Sequence, residues 1–335
     1  MTIEVIKPGA LSTLQDLGRR GFQHLGVPVG GVMDERSHRV ANLLVGNSEH
    51  EATLEITLLG PSLRFQQATL IAIAGADLSA CIGEHAVPLE APVLVRAGSQ
   101  LNFGRRVFGV RTYLAVHGGF AVPAVMQSKS TYVRGKFGGF QGRALQKGDA
   151  LELMPADAER VYPRLATKLR ASPLPFSSLE DRPRLPGALS EASATALRAI
   201  VGQQWQAFSA DAQRQFQQAE FRLSPHSDRM GFRLEGPRLA LREPLEMISE
   251  AVAFGTVQVP PDGNPIVLMA DRQTTGGYPK IASVASVDLP VLAQRMAPQS
   301  ARFPLISLEQ AQQLYLAHER TMANFAAQVQ QLRRS

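Results

Sequence analysis

The chain has 335 residues, a single cysteine (Cys81), 35 Lys and Arg against 29 Asp and Glu, and a formal net charge of +6. One cysteine rules out an intrachain disulfide and fits a reducing cytoplasm, and no run of about eighteen apolar residues is present to span a membrane. The positive charge is scattered and aromatics make up only 6% of the chain, so neither nucleic acid nor a membrane is an expected partner.

The N-terminus "MTIEVIKPGALSTLQDLGRRG" lacks a basic start followed by an apolar core, and reads as no signal peptide. A helix is expected at "MDERSHRVANLLVGN", with Asp34 as its cap, Val40, Leu43 and Leu44 on one face, and Gly46-Asn47 as the stop. Short apolar runs broken by Gly and Asp follow: "SLRFQQATLIAIAGADLSACIG", "APVLVRAGSQLNFG" and "VRTYLAVHGG". Their even spacing suggests strands of a barrel or sandwich. "STYVRGKFGGFQGRALQKGD", Ser130 to Asp149, is either a basic loop over an anionic substrate or a bulged strand pair in which Gly relieves crowding. Met154 to Ser190 is rich in Pro, Ser and charge and reads as a linker with at most one short helix.

The second half repeats the style. "LRAIVG", "FRLEGPRLAL", "EAVAFGTVQV" and "PIVLMA" read as strands, "SADAQRQFQQA" as a helix capped by Ser209 or Asp211, and "PPDG" as a hairpin turn. A long helix starts at Ser307, where "SLEQ" forms a capping box, and Leu308, Ala311, Leu314, Tyr315, Met322 and Phe325 make its apolar stripe. "LLGPSL" (Leu58 to Leu63) matches "LEGPRL" (Leu234 to Leu239), and "TYLAVHGGFAVPAV" matches "VLMADRQTTGGYPKIASV" in pattern. A duplicated β-barrel unit is the natural reading. The expected domains are therefore 1–153, a linker 154–190, 191–306, and a C-terminal helix 307–335.

No P-loop, G-x-S-x-G elbow, H-E-x-x-H or C-x-x-C pattern is present, and no biotin-attachment sequence. No metal site is expected. The chemistry concentrates in "DRQTTGGYPK", Asp271 to Lys280, which packs an acid, two cations, an amide and three hydroxyls around Gly276-Gly277. The glycines allow backbone N–H groups to converge on an anion in a nest. A solvated Gly-Gly turn is the plain alternative, but the counterpart "VHGGF" carries almost no chemistry, which favours a site. In "SPHSDRMGFRLEGP", Asp228 can cap a turn, while Arg229 either grips a carboxylate bidentately or sits in a structural ion pair. Glu250 is a general acid/base or an ion-pair partner. Gly30, Gly31, Met33, Asp34 and Ser37 precede a helix start, where an anion or a plain Asp34 cap is possible. His117 and Cys81 read as packed.

"GGVMDERSHRVANLLVGN", "STYVRGKFGGFQGRALQKGD", "SDRMGFRLEGP" and "GTVQVPPDGNPIVLMADRQTTGGYPKIASV" resemble the signatures of the biotin-dependent carboxyltransferase-like family. That family includes the C subunit of 5-oxoprolinase, the KipA proteins and the second subunit of allophanate hydrolase. The resemblance covers nearly the whole chain, to about Leu308. It implies a mainly β fold of two cyclophilin-like β-barrels with a few short helices and a C-terminal helix. It implies a KipI-like partner (the B subunit of 5-oxoprolinase) and a LamB/YcsF-type partner (its A subunit), which together with ATP open 5-oxoproline to glutamate. It leaves two alternatives: carboxyl transfer from carboxybiotin, with biotin on another chain, to urea or a related amide, or a non-catalytic antagonist of a kinase inhibitor. In each catalytic case the substrate is a small amide or lactam. On this reading Lys280, Tyr278, Gln273 and Glu250 are the catalytic candidates. Arg229, Asp228, Thr274, Thr275, Gly276, Gly277 and Asp271 are the substrate-binding ones.

Overall fold

The computed structural model describes residues 1–179, 181–186 and 196–334. The chain divides into two compact units: Met1–Gly18, Asp34–Glu191 and Arg320–Ser335 form the first, and Arg19–Met33 with Ala192–Glu319 the second. The strands of the first unit are β1 (Thr2–Lys7), β2 (Leu11–Gln15), β3 (Thr53–Thr57), β4 (Ser62–Phe65), β5 (Thr69–Asp77), β6 (Cys81–Ile82), β7 (His85–Ala86), β8 (Val93–Val95), β9 (Gln100–Asn102), β10 (Phe108–Val116), β11 (Ala150–Glu152) and β12 (Phe176–Ser178). Its helices are α1 (Glu35–Leu44), α2 (Ala158–Val161) and α3 (Pro163–Ala171). In the second unit β13 (Ala199–Val201), α4 (Ala210–Gln218), β14 (Phe221–Leu223), β15 (Gly231–Glu235), β16 (Glu250–Ala251), β17 (Thr256–Gln258), β18 (Ile266–Leu268), β19 (Thr275–Gly276), β20 (Lys280–Val284), α5 (Leu289–Ala293) and β21 (Ser300–Ala301) follow. The last helix is α6 (Leu308–Arg334).

Two six-stranded antiparallel sheets build the first unit, ordered β11-β1-β4-β9-β6-β7 and β12-β8-β5-β10-β3-β2. Alternate residues of both point inward: Ile3, Val5, Leu63 and Phe65 from one sheet meet Leu14, Ile56, Ile73 and Leu114 from the other in a single apolar cluster. The central strand β5 is buried at eight of its nine positions. Its large residues Ile71 and Ile73 enter that cluster, while the alternating Ala72 and Ala74 lie on the other face, which α1 covers. Small residues there let the helix close on the sheet.

Helix α1 follows its sequence signals. The Asp34 side chain accepts from the Ser37 N–H at 2.9 Å. At the other end the N–H of Gly46 reaches the Leu43 carbonyl and that of Asn47 the Asn42 carbonyl, with Gly46 left-handed at φ 77°. This pair of bonds is the Schellman stop that the Gly-Asn pair encodes. Val40 and Leu44 are buried, but so are Arg36, Ser37, His38, Arg39 and Asn42. The helix is therefore enclosed on its polar side as well. His38 lies fully buried, with Nδ1 2.8 Å from the Thr53 hydroxyl and Nε2 2.9 Å from the Glu49 carbonyl. A carbonyl only accepts, so Nε2 carries the proton and Nδ1 accepts from Thr53.

The segment expected as a linker is structured in its described part. It supplies α2, α3 and β12, and β12 pairs with β8 in register Phe176↔Val95. The polar composition hid a short apolar set: Leu165, Ala166 and Leu169 bury one face of α3, and Phe176 enters the core. Positions 180 and 187–190 of that segment, and 191–195 at the start of the expected second domain, lie outside the described residues.

The second unit holds one seven-stranded antiparallel sheet, β13-β20-β17-β18-β15-β14-β21, and a two-stranded ribbon, β16-β19. The backbone after β21 then pairs in parallel with the β13 segment, Ala196↔Arg302 and Ala199↔Leu305, which joins the two edges of the sheet into a barrel. Phe216, Phe221 and Phe303 fill the interior, Phe216 and Phe303 stacked at 5.2 Å. The turn "PPDG" closes with Gly263 N–H to the Pro260 carbonyl at 2.9 Å and joins β17 to β18. The internal repeat has a topological counterpart. In chain order β2, β3, β5 and β10 occupy the sheet as β5-β10-β3-β2, and β14, β15, β17 and β18 as β17-β18-β15-β14. "LLGP" follows β3 and "LEGP" ends β15, the second strand of each set.

Helix α6 opens with the expected capping box: Ser307 Oγ accepts from the Gln310 N–H at 3.2 Å, and Gln310 Oε1 from the Ser307 N–H at 2.9 Å. Its stripe is buried only in part. Met322, Phe325 and Val329 are covered, whereas Leu308 and Tyr315 are 52% and 46% exposed. Among the described residues no helix is long and apolar enough to cross a membrane.

Candidate functional site

The cluster forms on β20 and on the ribbon β16-β19, within the second unit. Lys280 opens β20, between β13 and β17. The register between β17 and β20 shifts at Val257/Gln258, and Gln258 lies opposite Lys280. Such an irregularity re-aims a side chain at a sheet edge or site. The Lys280 residue is 6% exposed, its N–H donates to Gln204 Oε1 at 3.1 Å, and its ammonium contacts Glu250 Oε2. Glu250 sits opposite Gly276 in the ribbon, with a half-exposed side chain. An ammonium withdrawn from water thus faces a single carboxylate that remains wet.

The glycine pair plays a different part from the nest expected of it. Gly276 is in the β19 strand, and neither Gly276 nor Gly277 has the left-handed φ a nest requires. Gly276 instead leaves room for Gln258: a Cβ there would lie 2.4 Å from Gln258 Nε2, so that amide would have to shift. That amide donates to the Tyr278 carbonyl at 3.4 Å. Gln258 therefore lies across the glycine and holds the Gly-Gly-Tyr turn.

Asp228, Arg229 and Asp271 follow their structural alternatives. Asp228 Oδ1 accepts the N–H groups of Met230 and Gly231 at 2.8 and 3.1 Å, an Asx turn into β15. Arg229 is bidentate to Asp271, Nε–Oδ2 2.9 Å and Nη2–Oδ1 3.0 Å, and also donates to the Gly31 carbonyl. Both side chains are about nine-tenths buried. These three are engaged with the protein itself. Gln273, Thr275 and Tyr278 are exposed, and their side chains have no hydrogen-bond partner among the described residues, so they are free to meet a ligand. Thr274 is half-buried, and its carbonyl accepts from the Val252 N–H at 3.2 Å.

Arg272, a member of the same sequence cluster, is the cation whose placement sequence reasoning missed. Its guanidinium has no carboxylate partner among the described residues. It lies at 3.4–3.5 Å from the carbonyls of Val252, Met269 and Ala270, and 5.8 Å from the Phe254 ring centroid. Burial, and then the charge of Arg20, push its pKa down to about 10. A guanidinium held by long carbonyl contacts and stacked on an aromatic is available to an anion. Nothing in the spacing tells Arg229 from Arg272; only the fold shows which one is already paired. Among the described residues no group of three or more His, Cys, Asp or Glu is placed to hold a metal ion.

This arrangement supplies a cation beside a carboxylate, a set of neutral donors and a second cation. It suits polarising an amide carbonyl and moving a proton at its nitrogen.

The model of the carboxyltransferase domain, subdomain A and B, matches residues 25–305. The chain is 37% identical to the 5-oxoprolinase C subunit of Haemophilus influenzae over 317 residues, 95% of each protein. It is 36% identical to the 5-oxoprolinase C subunit of Escherichia coli, over 92% of this chain and 93% of that one. Among solved structures, the K. lactis urea amidolyase superposes with a TM-score of 0.85 at 29% identity, over 97% of this chain but only 20% of that far longer one. The end-to-end match, the mainly β fold and the shared architecture place this chain in the family of the carboxyltransferase domain, subdomain A and B.

Proposed function

We propose that the protein is the C subunit of an ATP-dependent 5-oxoprolinase, a hydrolase that opens 5-oxoproline to glutamate. The observation that carries this reading is the extent of similarity: two relatives named as the C subunit of 5-oxoprolinase match at 36–37% identity over more than nine-tenths of both chains. In this reading water adds to the lactam carbonyl carbon as the C–N bond breaks; Lys280 stabilises the carbonyl oxygen, and Glu250 takes a proton from that water and passes it to the departing nitrogen. Arg272 holds the substrate carboxylate, the role first expected of Arg229. Gln273, Thr275 and Tyr278 supply further contacts. Two further subunits complete the enzyme, one KipI-like and one of the LamB/YcsF type. ATP is a co-substrate of the complex, and no residue of this chain is assigned to it. The complex works in the cytoplasm.

The likeness to urea amidolyase favours a second reading, a carboxyltransferase that acts on urea or a related amide with biotin on another chain. Co-expression with the companion subunits separates the two. The expected outcome is ATP-dependent release of glutamate from 5-oxoproline and no turnover of urea. Turnover of urea in the presence of a biotin carboxylase and carrier protein transfers the assignment to the second reading. No product from either substrate in an assembled complex overturns both.

A further inference from the structure

We infer that the glycine-rich loop of the first unit, residues 136–142, binds a small carboxylate through its backbone N–H groups. This loop lines a cavity of about 660 Å³ together with Ala121, Val125 and Glu152. Five of its seven residues have left-handed backbone: Lys136 (φ 55°), Gly138 (72°), Gly139 (52°), Gln141 (56°) and Gly142 (65°). Phe137 and Phe140 between them do not. A residue of ordinary φ followed by a left-handed one turns successive N–H groups toward one side, the geometry of an anion nest. Two of the five are not glycine, and strain of that kind persists where the surroundings enforce it, commonly at ligand sites.

The hydrogen-bond pattern points the same way. Gly142 donates to the Gly138 carbonyl at 2.9 Å, and at the loop's start Lys136 donates to the Val133 carbonyl at 3.2 Å and Phe137 to the Tyr132 carbonyl at 3.4 Å. The N–H groups of Gly138, Gly139, Phe140 and Gln141 meet no acceptor among the described residues. Of these, Gly139 is the buried one, and a buried backbone N–H without an acceptor is rare in a folded chain. The loop is also tightly built. A Cβ on Gly139 would lie 1.9 Å from Thr131 Oγ1, and one on Gly142 would lie 2.2 Å from the Lys136 carbonyl carbon. Arg143 pairs bidentately with Asp149 at 2.8 and 2.9 Å, so it anchors the loop and is not itself a ligand group.

The lining charges select the class of ligand. Lys136 and Glu152 line the cavity with opposite charge, and Asp149 is neutralised by Arg143. With no net cationic excess, a multiply charged phosphate is poorly matched. A monoanionic, planar carboxylate fits a row of neutral N–H donors.

The test is a set of amide titrations on deuterated, ¹⁵N-labelled full-length protein at constant ionic strength, using acetate, acetamide and inorganic phosphate. Saturable shifts of the Gly138, Gly139, Phe140 and Gln141 amides with acetate, and none with acetamide, are expected. Acetate shifts that are absent or fail to saturate overturn the proposal. So does an equal response to acetamide, which means a neutral carbonyl site, or a tighter response to phosphate. Gln141→Gly keeps both the N–H and the positive φ and should bind acetate as the parent does; loss of binding there makes the side chain the ligand group and overturns the backbone assignment. Gln141→Pro removes the donor and forbids positive φ, and should bind about tenfold more weakly. Unchanged acetate affinity in that variant also sinks the idea.

Discussion

Arg229 and Asp271 hold each other in a two-point ion pair, at 2.9 and 3.0 Å, with both side chains about nine-tenths buried. Removing one member of such a pair leaves an uncompensated charge in a poorly solvated place. Arg229→Ala is therefore expected to destabilise the protein by about 3–5 kcal/mol. Arg229→Lys should recover little, because an ammonium cannot span both carboxylate oxygens. Urea unfolding measures this. An Arg229→Ala protein of parental stability and a raised KM for substrate would restore the ligand-binding role instead.

Lys280 poses the opposite case. Its partner Glu250 is half-exposed, so water can take the place of the ammonium when the lysine is removed. Lys280→Ala should leave folding and assembly of the complex intact and lower turnover by about 10²–10⁴-fold. Glu250→Gln should lower turnover with little change in stability. Activity of the reconstituted complex, read beside size-exclusion of the assembly, tests both. Full turnover by the Lys280 variant removes it from the site.

The Gln258 amide occupies the space a side chain at Gly276 would take. Gly276→Ala should cost about 1–3 kcal/mol of stability through forced repacking and displace the Gln258 amide from the Tyr278 carbonyl. Adding Gln258→Ala removes the clash, so the double variant should melt higher than Gly276→Ala alone. If the two changes are simply additive, the clash is not the cause.

His38 makes the first unit acid-sensitive. Complete burial holds its pKa at about 4, below the ordinary value of 6.5. Between these values the unfolded chain takes up a proton that the folded one refuses. Stability contributed by neutral His38 is thus fully present above pH 6.5, falls as the pH drops toward 4, and changes no further below that. The loss amounts to about 3 kcal/mol over the window. Denaturant unfolding between pH 7 and pH 4 should show it, and His38→Gln should flatten this part of the slope. An equal slope in the variant assigns the effect to other groups.

Much of the backbone was legible because it rests on local rules. Asp34 and Ser307 cap their helices from the sequence alone, Gly46-Asn47 ends α1, and "PPDG" joins two strands. Short apolar runs broken by Gly and Asp marked β5 and β10, and the "LLGP" and "LEGP" landmarks lie at the end of the second strand of a four-strand pattern that occurs twice. Composition misled where apolar residues were few but well placed, as with Leu165, Leu169 and Phe176 in the segment expected as a linker.

The candidate site divides along the same line. Sequence by itself determined that Asp271 to Lys280 would carry a concentration of polar groups around two glycines, because identity and spacing are written in the chain. It could not decide which arginine is spent on structure, since Arg229 and Arg272 differ only in what faces them: a buried carboxylate for one, three carbonyls and a phenyl ring for the other. Nor could it show that Gly276 is extended beneath Gln258, or that Lys280 is buried against Glu250, thirty positions earlier in the chain. Those relations come from strand register and from the irregularity between β17 and β20. Register is a property of pairing between distant segments, and no local preference encodes it.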